Sequence, residues 1–192
     1  MNPKISVILG DITKIKADAI VNAAHPTLLG GGGVDGAIHK SAGRELLDEC
    51  RKIREGQYKE GLPVGEAVAT KAYNLEKNGV KFIIHTTGPR YFRGDPKLLR
   101  NCYINSLKLA EEHKCKSIAF PAISTGAFGM PIEYSAKVVK EVLDKYESTT
   151  IENIKLVLFN DEDLKVYQNV LQSVLSAKRA EEAEVTSLVS SF

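Results

Sequence analysis

Asn22-Ala-Ala-His-Pro-Thr-Leu-Leu-Gly-Gly-Gly-Gly-Val-Asp-Gly-Ala-Ile-His39 is the stretch on which the reading of this chain turns. It joins a short apolar run, DAIVNA (Asp18 to Ala23), to a helical pattern. In that pattern Ile38, Ala42, Leu46 and Ile53 recur at helical spacing from Asp35 to Ile53, predicting one helix. Strand, glycine-rich loop and helix in that order predict an α/β unit with its loop at a strand end. The remaining chain repeats the alternation. KISVIL (Lys4 to Leu9), EAVATKAY (Glu66 to Tyr73), KFIIHT from Lys81, SIAFP from Ser117 and IKLVLF from Ile154 read as strands. Stripes at Leu99, Tyr103, Leu107 and Ala110, at Ile132, Ala136, Val139, Leu143 and Tyr146, and at Leu164, Tyr167, Leu171, Val174 and Leu175 read as further helices. About six strands and about four helices predict helices on both faces of one sheet.

The chain has 192 residues, 43% of them hydrophobic, which suffices for one core. The net charge of +2 argues against a protein that coats nucleic acid, so no nucleic-acid partner is expected. No apolar run approaches the ~18 residues of a membrane span. The N-terminus reads as a first strand and not as a signal peptide. Cys50, Cys102 and Cys115 match no metal knuckle or redox pair, which fits buried thiols in a reducing compartment and a cytoplasmic location. Residues 1–176 are read as one domain. Residues 177–192 form a polar tail that either extends the last helix or dangles.

Several residues in these loops could carry chemistry. Gly30 to Gly33 either form a flexible surface turn or let backbone approach a ligand, with the helix start beyond them offering free N–H groups to an anion such as a diphosphate. A second glycine loop, Ala122-Ile-Ser-Thr-Gly-Ala-Phe-Gly129, also lies between a strand and a helix. Two such loops at strand ends could face each other across a crevice. Phe128 is then either an aromatic wall for a sugar or base, or a core residue at a helix start. Asp35 is either a base that orients water or a helix-start carboxylate favoured by the dipole. His39, four residues on, shares its helix face. Asp11 follows the first strand and either accepts a bond from an exocyclic amine or caps the next turn. His85 reads as a hydrogen-bonded structural residue, and His113 as a solvated helix end. Gly31, Gly33 and Gly36 also satisfy G-x-G-x-x-G, which leaves a nucleotide-dependent oxidoreductase as a further reading, although no acidic residue closes the next strand.

Taken in order, Gly10-Asp-Ile-Thr13, Ile20-Val-Asn-Ala-Ala24, Leu28 to His39, Ala42-Gly43, His85-Thr-Thr-Gly-Pro89 and Ala119-Phe-Pro-Ala-Ile-Ser-Thr-Gly126 resemble the macrodomain family, in its MacroD-type branch. The resemblance implies a three-layer α/β/α fold around a mixed, mostly parallel sheet, and binding of ADP-ribose. It implies that Asp11 receives the adenine amine and that Ile12 adds a backbone contact. Gly32, Gly33 and Val34 would hold one side of the diphosphate. Ser124, Thr125, Gly126, Ala127 and Phe128 would hold the other, with Phe128 beside the distal ribose. Asn22 lies in the ribose-facing loop. Asp35 matches the catalytic residue of members that deacetylate O-acetyl-ADP-ribose or remove ADP-ribose from acidic side chains, and His39 matches the histidine one turn later. No metal or cofactor is implied, because this loop lacks the Cys of the zinc-dependent branch. One position departs. The family usually reads Asn-Ala-Ala-Asn where this chain has Asn22-Ala-Ala-His25. His25 either donates to a ribose hydroxyl in place of the amide, or displaces the ribose and leaves a module that binds ADP-ribose without turnover.

Overall fold

A computed structural model describes residues 1–175. The β-branched and apolar runs form six strands: β1 (Lys4–Leu9), β2 (Ala19–Ala23), β3 (Ala67–Lys71), β4 (Phe82–Thr86), β5 (Ser117–Pro121) and β6 (Asn153–Leu158). They make one sheet in the order β1-β6-β5-β2-β4-β3. Every pairing is parallel except that of β3 on β4. The central strands are covered on both faces, which explains why they read as continuous apolar runs: Ile20, Val21, Ile83, Ile84, Ile118 and Ala119 are all buried. β3 is the antiparallel edge, where Ala67 and Ala69 pack on one core cluster and Val68 on the other, each only partly buried.

Among the described residues five helices cover the sheet: α1 (Gly33–Ala42), α2 (Arg44–Gly56), α3 (Leu99–Glu112), α4 (Ile132–Lys145) and α5 (Asp161–Val170). On one face Ile38 and Ala42 of α1 and Leu46 and Cys50 of α2 pack on Ile20 and Ile83. On the other, the apolar stripes of α3, α4 and α5 meet Val21, Ile84, Ile118 and Leu156. The result is a three-layer α/β/α domain. The tail assigned to residues 177–192 lies outside the described residues.

The helix expected to run unbroken from Asp35 to Ile53 is two helices. Gly43 separates them with φ +92°, and its N–H closes α1 on His39 O at 3.0 Å. A Cβ there would lie 2.6 Å from Asn74 Nδ2, so both the left-handed backbone and the close approach need glycine. The apolar stripe crosses this break without losing phase, which is why spacing did not reveal it. The strand expected through Tyr73 ends at Lys71, and Tyr73 opens a 3₁₀ turn, Tyr73–Asn78.

Candidate functional site

β2 and β5 are neighbours, yet they pair only through Ala19 with Ile118 and Ile20 with Ala119. Beyond those residues the strands part, and a crevice opens at their C-terminal ends. The connection from β2 passes through α1 and α2 on one face toward β3, whereas that from β5 passes through α4 on the other face to β6. Connections that depart in opposite directions from adjacent strands define the place where parallel α/β sheets bind ligands. Both glycine loops arise there.

The first loop is a built structure. Leu28 anchors it in the core, 1% exposed. The Thr27 N–H donates to His25 Nδ1 at 3.2 Å, and Leu29 N–H donates to Thr27 Oγ1 at 3.3 Å. Gly36 is required because a Cβ there would collide with the Gly31 carbonyl oxygen, so the loop lies directly on the first turn of α1. Gly32 caps that helix without a side-chain bond. The N–H groups of Gly32, Gly33 and Val34 have no acceptor among the described residues. A Cβ on Gly32 or Gly33 would meet nothing within 4 Å, so both residues border open space. Free amides at a helix N-terminus make an anion site.

Asp35 sits in the first turn of α1 and is 4% exposed. Its Oδ1 accepts from Asn22 Nδ2 at 2.8 Å, and its Oδ2 accepts from the His25 backbone N–H at 3.1 Å. His39 Nε2 lies 3.6 Å from Oδ1 and has no hydrogen-bond partner among the described residues. Asn22 is fully buried on β2, and its amide nitrogen also lies 3.0 Å from Nδ1 of His85 on β4. His85 Nε2 lies 3.0 Å from Thr70 Oγ1 on β3. Burial, and secondarily the nearby His39, lower the His85 pKa to about 3. The ring is neutral throughout the physiological range. His25 itself is exposed. Because a backbone N–H can only donate, His25 Nδ1 accepts from Thr27. The neutral ring therefore carries its proton on Nε2.

The second loop turns back sharply after β5. Ser124 takes φ +66°, and its carbonyl accepts from Met130 N–H at 2.9 Å. Thr125 Oγ1 donates to Ala122 O at 2.7 Å. The N–H groups of Gly126, Ala127 and Phe128 have no acceptor among the described residues. Phe128 is half-buried and outside both core clusters, with the Arg90 guanidinium 4.7 Å from its ring centroid. Tyr91 N–H donates to Phe128 O at 2.9 Å, tying the segment after β4 to this loop.

Asp11 caps the 3₁₀ turn Ile12–Lys14, which packs against α1 and β5. Its Oδ1 accepts from Thr13 Oγ1 at 2.7 Å and Thr13 N–H at 2.9 Å. These bonds, the hydroxyl first, hold its carboxyl below the usual carboxylate range. Its other oxygen, Oδ2, has no partner among the described residues. The capping role and a free acceptor thus coexist. The Ile12 side chain is core. Phe159 follows β6 next to this corner, where Gly10 N–H donates to Leu158 O at 2.9 Å. It is 85% exposed.

Asn22, His25, Asp35 and His39 therefore converge on one carboxylate. Gly32, Gly33 and Val34 offer free amides in the loop after β2, and Gly126, Ala127 and Phe128 offer them in the loop after its neighbour β5. Ser124 and Thr125 shape the second loop, and Asp11 and Ile12 stand at the corner beside α1. Sequence reasoning missed Thr70, the link from His85 to Asn22, and Phe159, whose only signal was an aromatic at the last position of an apolar run. Among the described residues no group of three His, Cys, Asp or Glu is placed to hold a metal ion, and no helix is long and apolar enough to cross a membrane.

The Macro domain family profile matches residues 21–139. A macro domain-containing protein of Caldanaerobacter subterraneus is 46% identical over 91% of this chain and 99% of its own length. The O-acetyl-ADP-ribose deacetylase 1 of Pantoea vagans is 46% identical over 88% of this chain and 98% of its own. A solved variant of the Oceanobacillus iheyensis macrodomain with ADPR is 40% identical, with a TM-score of 0.85 over 91% of this chain and 95% of that one. The chain belongs to the macrodomain family.

Proposed function

We propose that this protein binds ADP-ribose in the crevice between β2 and β5 and hydrolyses an ester at its distal ribose. The substrate is O-acetyl-ADP-ribose, a protein mono-ADP-ribosylated on Asp or Glu, or both. The observation that carries this reading is the pair of loops with free amides at the ends of the adjacent strands β2 and β5, with a buried, clamped carboxylate beside the first. Relatives named O-acetyl-ADP-ribose deacetylase at 46% identity support it. In this reading Gly32, Gly33 and Val34 hold one side of the diphosphate, and Ser124 through Phe128 the other. Asp11 Oδ2 accepts the adenine amine, and the exposed Phe159 ring stacks on the base. Asp35 takes a proton from a water held beside the ester. The hydroxide adds to the acyl carbon, the acyl–oxygen bond breaks, and the ribose oxygen leaves with a proton. No metal or cofactor is required by this route. Residues 1–176 form the functional unit.

His25 favours a second reading, a module that binds without turnover, because the usual amide is absent. Two features weigh toward the enzyme. The His25 backbone N–H still clamps Asp35, and the Thr27 contact leaves Nε2–H as an exposed donor in place of the missing amide. The test is incubation of the protein with O-acetyl-ADP-ribose and with a Glu-ADP-ribosylated protein, using Asp35→Ala as background. Release well above that background supports the enzyme. ADP-ribose binding with no release in either assay supports the binding module.

A further inference from the structure

The buried polar chain behind Asp35 has a direction set at both ends. At one end Thr70 Oγ1 donates its proton to the Lys71 carbonyl oxygen at 3.0 Å. A hydroxyl has one proton to give, so Thr70 Oγ1 meets His85 Nε2 as an acceptor. The His85 proton therefore sits on Nε2, and Nδ1 presents a lone pair to the Asn22 amide at 3.0 Å. The nitrogen of that amide must face His85, which leaves its second proton for Asp35 Oδ1 at 2.8 Å. The carboxylate at the far end gives the same answer independently, because it too can only accept. One arrangement of protons satisfies all four contacts. None of the four groups Thr70, His85, Asn22 and Asp35 is more than 4% exposed, so water does not substitute for a missing member. Neutrality of the His85 ring, enforced by its burial, keeps Nδ1 an acceptor.

We propose that Thr70 and His85 are positioning residues for the hydrolytic reaction: they lock the His85 tautomer, which locks the Asn22 amide with its nitrogen toward Asp35 and so orients the reacting carboxylate. This inference rests on the proposed hydrolase reading. Reversing the His85 tautomer would turn Nδ1–H on the Asn22 nitrogen, donor against donor. Flipping the amide to relieve that contact would turn its oxygen on the Asp35 carboxylate. Either outcome releases the carboxylate from its orientation without touching the amides that face the diphosphate.

Thr70→Val removes the hydroxyl, keeps the shape and suits a strand, so the fold is retained. Thr70→Ser restores the hydroxyl. Long-range proton–nitrogen correlation spectra read the His85 tautomer directly, and hydrolysis of O-acetyl-ADP-ribose and ADP-ribose titration are measured on the same samples. The parent and Thr70→Ser are expected to show the Nε2–H form. Thr70→Val is expected to populate the Nδ1–H form and to lose kcat by about tenfold to a hundredfold, the scale set by a reacting group misplaced by ~1 Å. KM and ADP-ribose affinity should stay within about threefold, because the phosphate contacts are backbone groups that are not members of the Thr70–His85–Asn22–Asp35 chain. A Thr70→Val protein with unchanged kcat would overturn the proposal, as would one that loses activity while retaining the Nε2–H form. If the parent protein hydrolyses nothing, the hydrolase reading fails by itself. The positional relay is then judged on the Asn22 side-chain amide protons. They should exchange slowly in the parent and Thr70→Ser but quickly in Thr70→Val, and equal exchange in all three would overturn it.

Discussion

Asp35→Asn changes one atom of the site and leaves its shape intact. In the parent, one carboxylate oxygen receives Asn22 Nδ2–H at 2.8 Å and the other receives the His25 backbone N–H at 3.1 Å. An amide has one oxygen and one NH2 group, so whichever way it turns, one of these donors, the buried Asn22 amide or the part-buried His25 N–H, meets another donor. Loss of one charge-assisted bond and orphaning of its buried donor cost about 1.5–3 kcal/mol. For a domain of this size that lowers the melting temperature by roughly 3–12 °C, at about 2–4 °C per kcal/mol. The chemical effect is larger. Removal of the base should lower kcat for O-acetyl-ADP-ribose by about a hundredfold to ten-thousandfold. ADP-ribose affinity should change by no more than about threefold, because the diphosphate is held by amides of Gly32–Val34 and Gly126–Phe128. The assay follows acetate release by proton spectra, with calorimetric titration of ADP-ribose and a thermal melt on the same preparation. An Asp35→Asn protein that keeps more than about a tenth of the parental kcat would refute a base at this position.

Other positions give independent tests. Phe159→Ala should weaken ADP-ribose binding about tenfold by losing a stacking face worth ~1–3 kcal/mol, leave the melting temperature unchanged, and leave a ligand without adenine unaffected in calorimetry. Gly36→Ala should force the Gly31 carbonyl out of place, lowering stability by about 1–3 kcal/mol and ADP-ribose affinity with it, as read by melting and titration. Glu111 accepts hydrogen bonds from the hydroxyls of Tyr146, Ser148 and Thr149 and from the N–H groups of Thr149 and Thr150, and these hold its carboxyl well below the usual range despite partial burial. Glu111→Gln should therefore cost about 2–3 kcal/mol at neutral pH. Because the folded pKa is depressed, this contribution is complete above the unfolded value of about 4.3 and is lost as pH falls toward the folded one. Denaturant melts should show a constant gap between the two proteins down to about pH 5.5 and a narrowing gap below about pH 4.

Much of this architecture was legible in the residues. Runs such as FIIHT and SIAFP have few polar positions because both faces of β4 and β5 are covered, and that burial imprints itself on composition. The two glycine loops were visible because close backbone approach excludes side chains. Gly43 was not, because Ala42 and Leu46 keep one apolar stripe across the break while the +92° φ leaves no trace in spacing. The antiparallel register of β3 on β4 brings Thr70 beside His85, a diagonal contact that no local pattern encodes. Phe159 was absorbed into the strand it follows, since apolarity alone does not distinguish the last buried residue of a run from the first exposed one. His25 stood out as a departure, but only the structure connects its Nδ1 to the Thr27 N–H and its backbone N–H to Asp35.

The most direct test is a titration of the isotope-labelled protein with ADP-ribose, following backbone amide resonances. The amides of Gly32, Gly33, Val34, Gly126, Ala127 and Phe128 should shift together, with one shared dissociation constant and with the largest changes in the protein. Changes confined to one of the two loops, or centred on a different surface, would contradict a diphosphate held between the parted ends of β2 and β5.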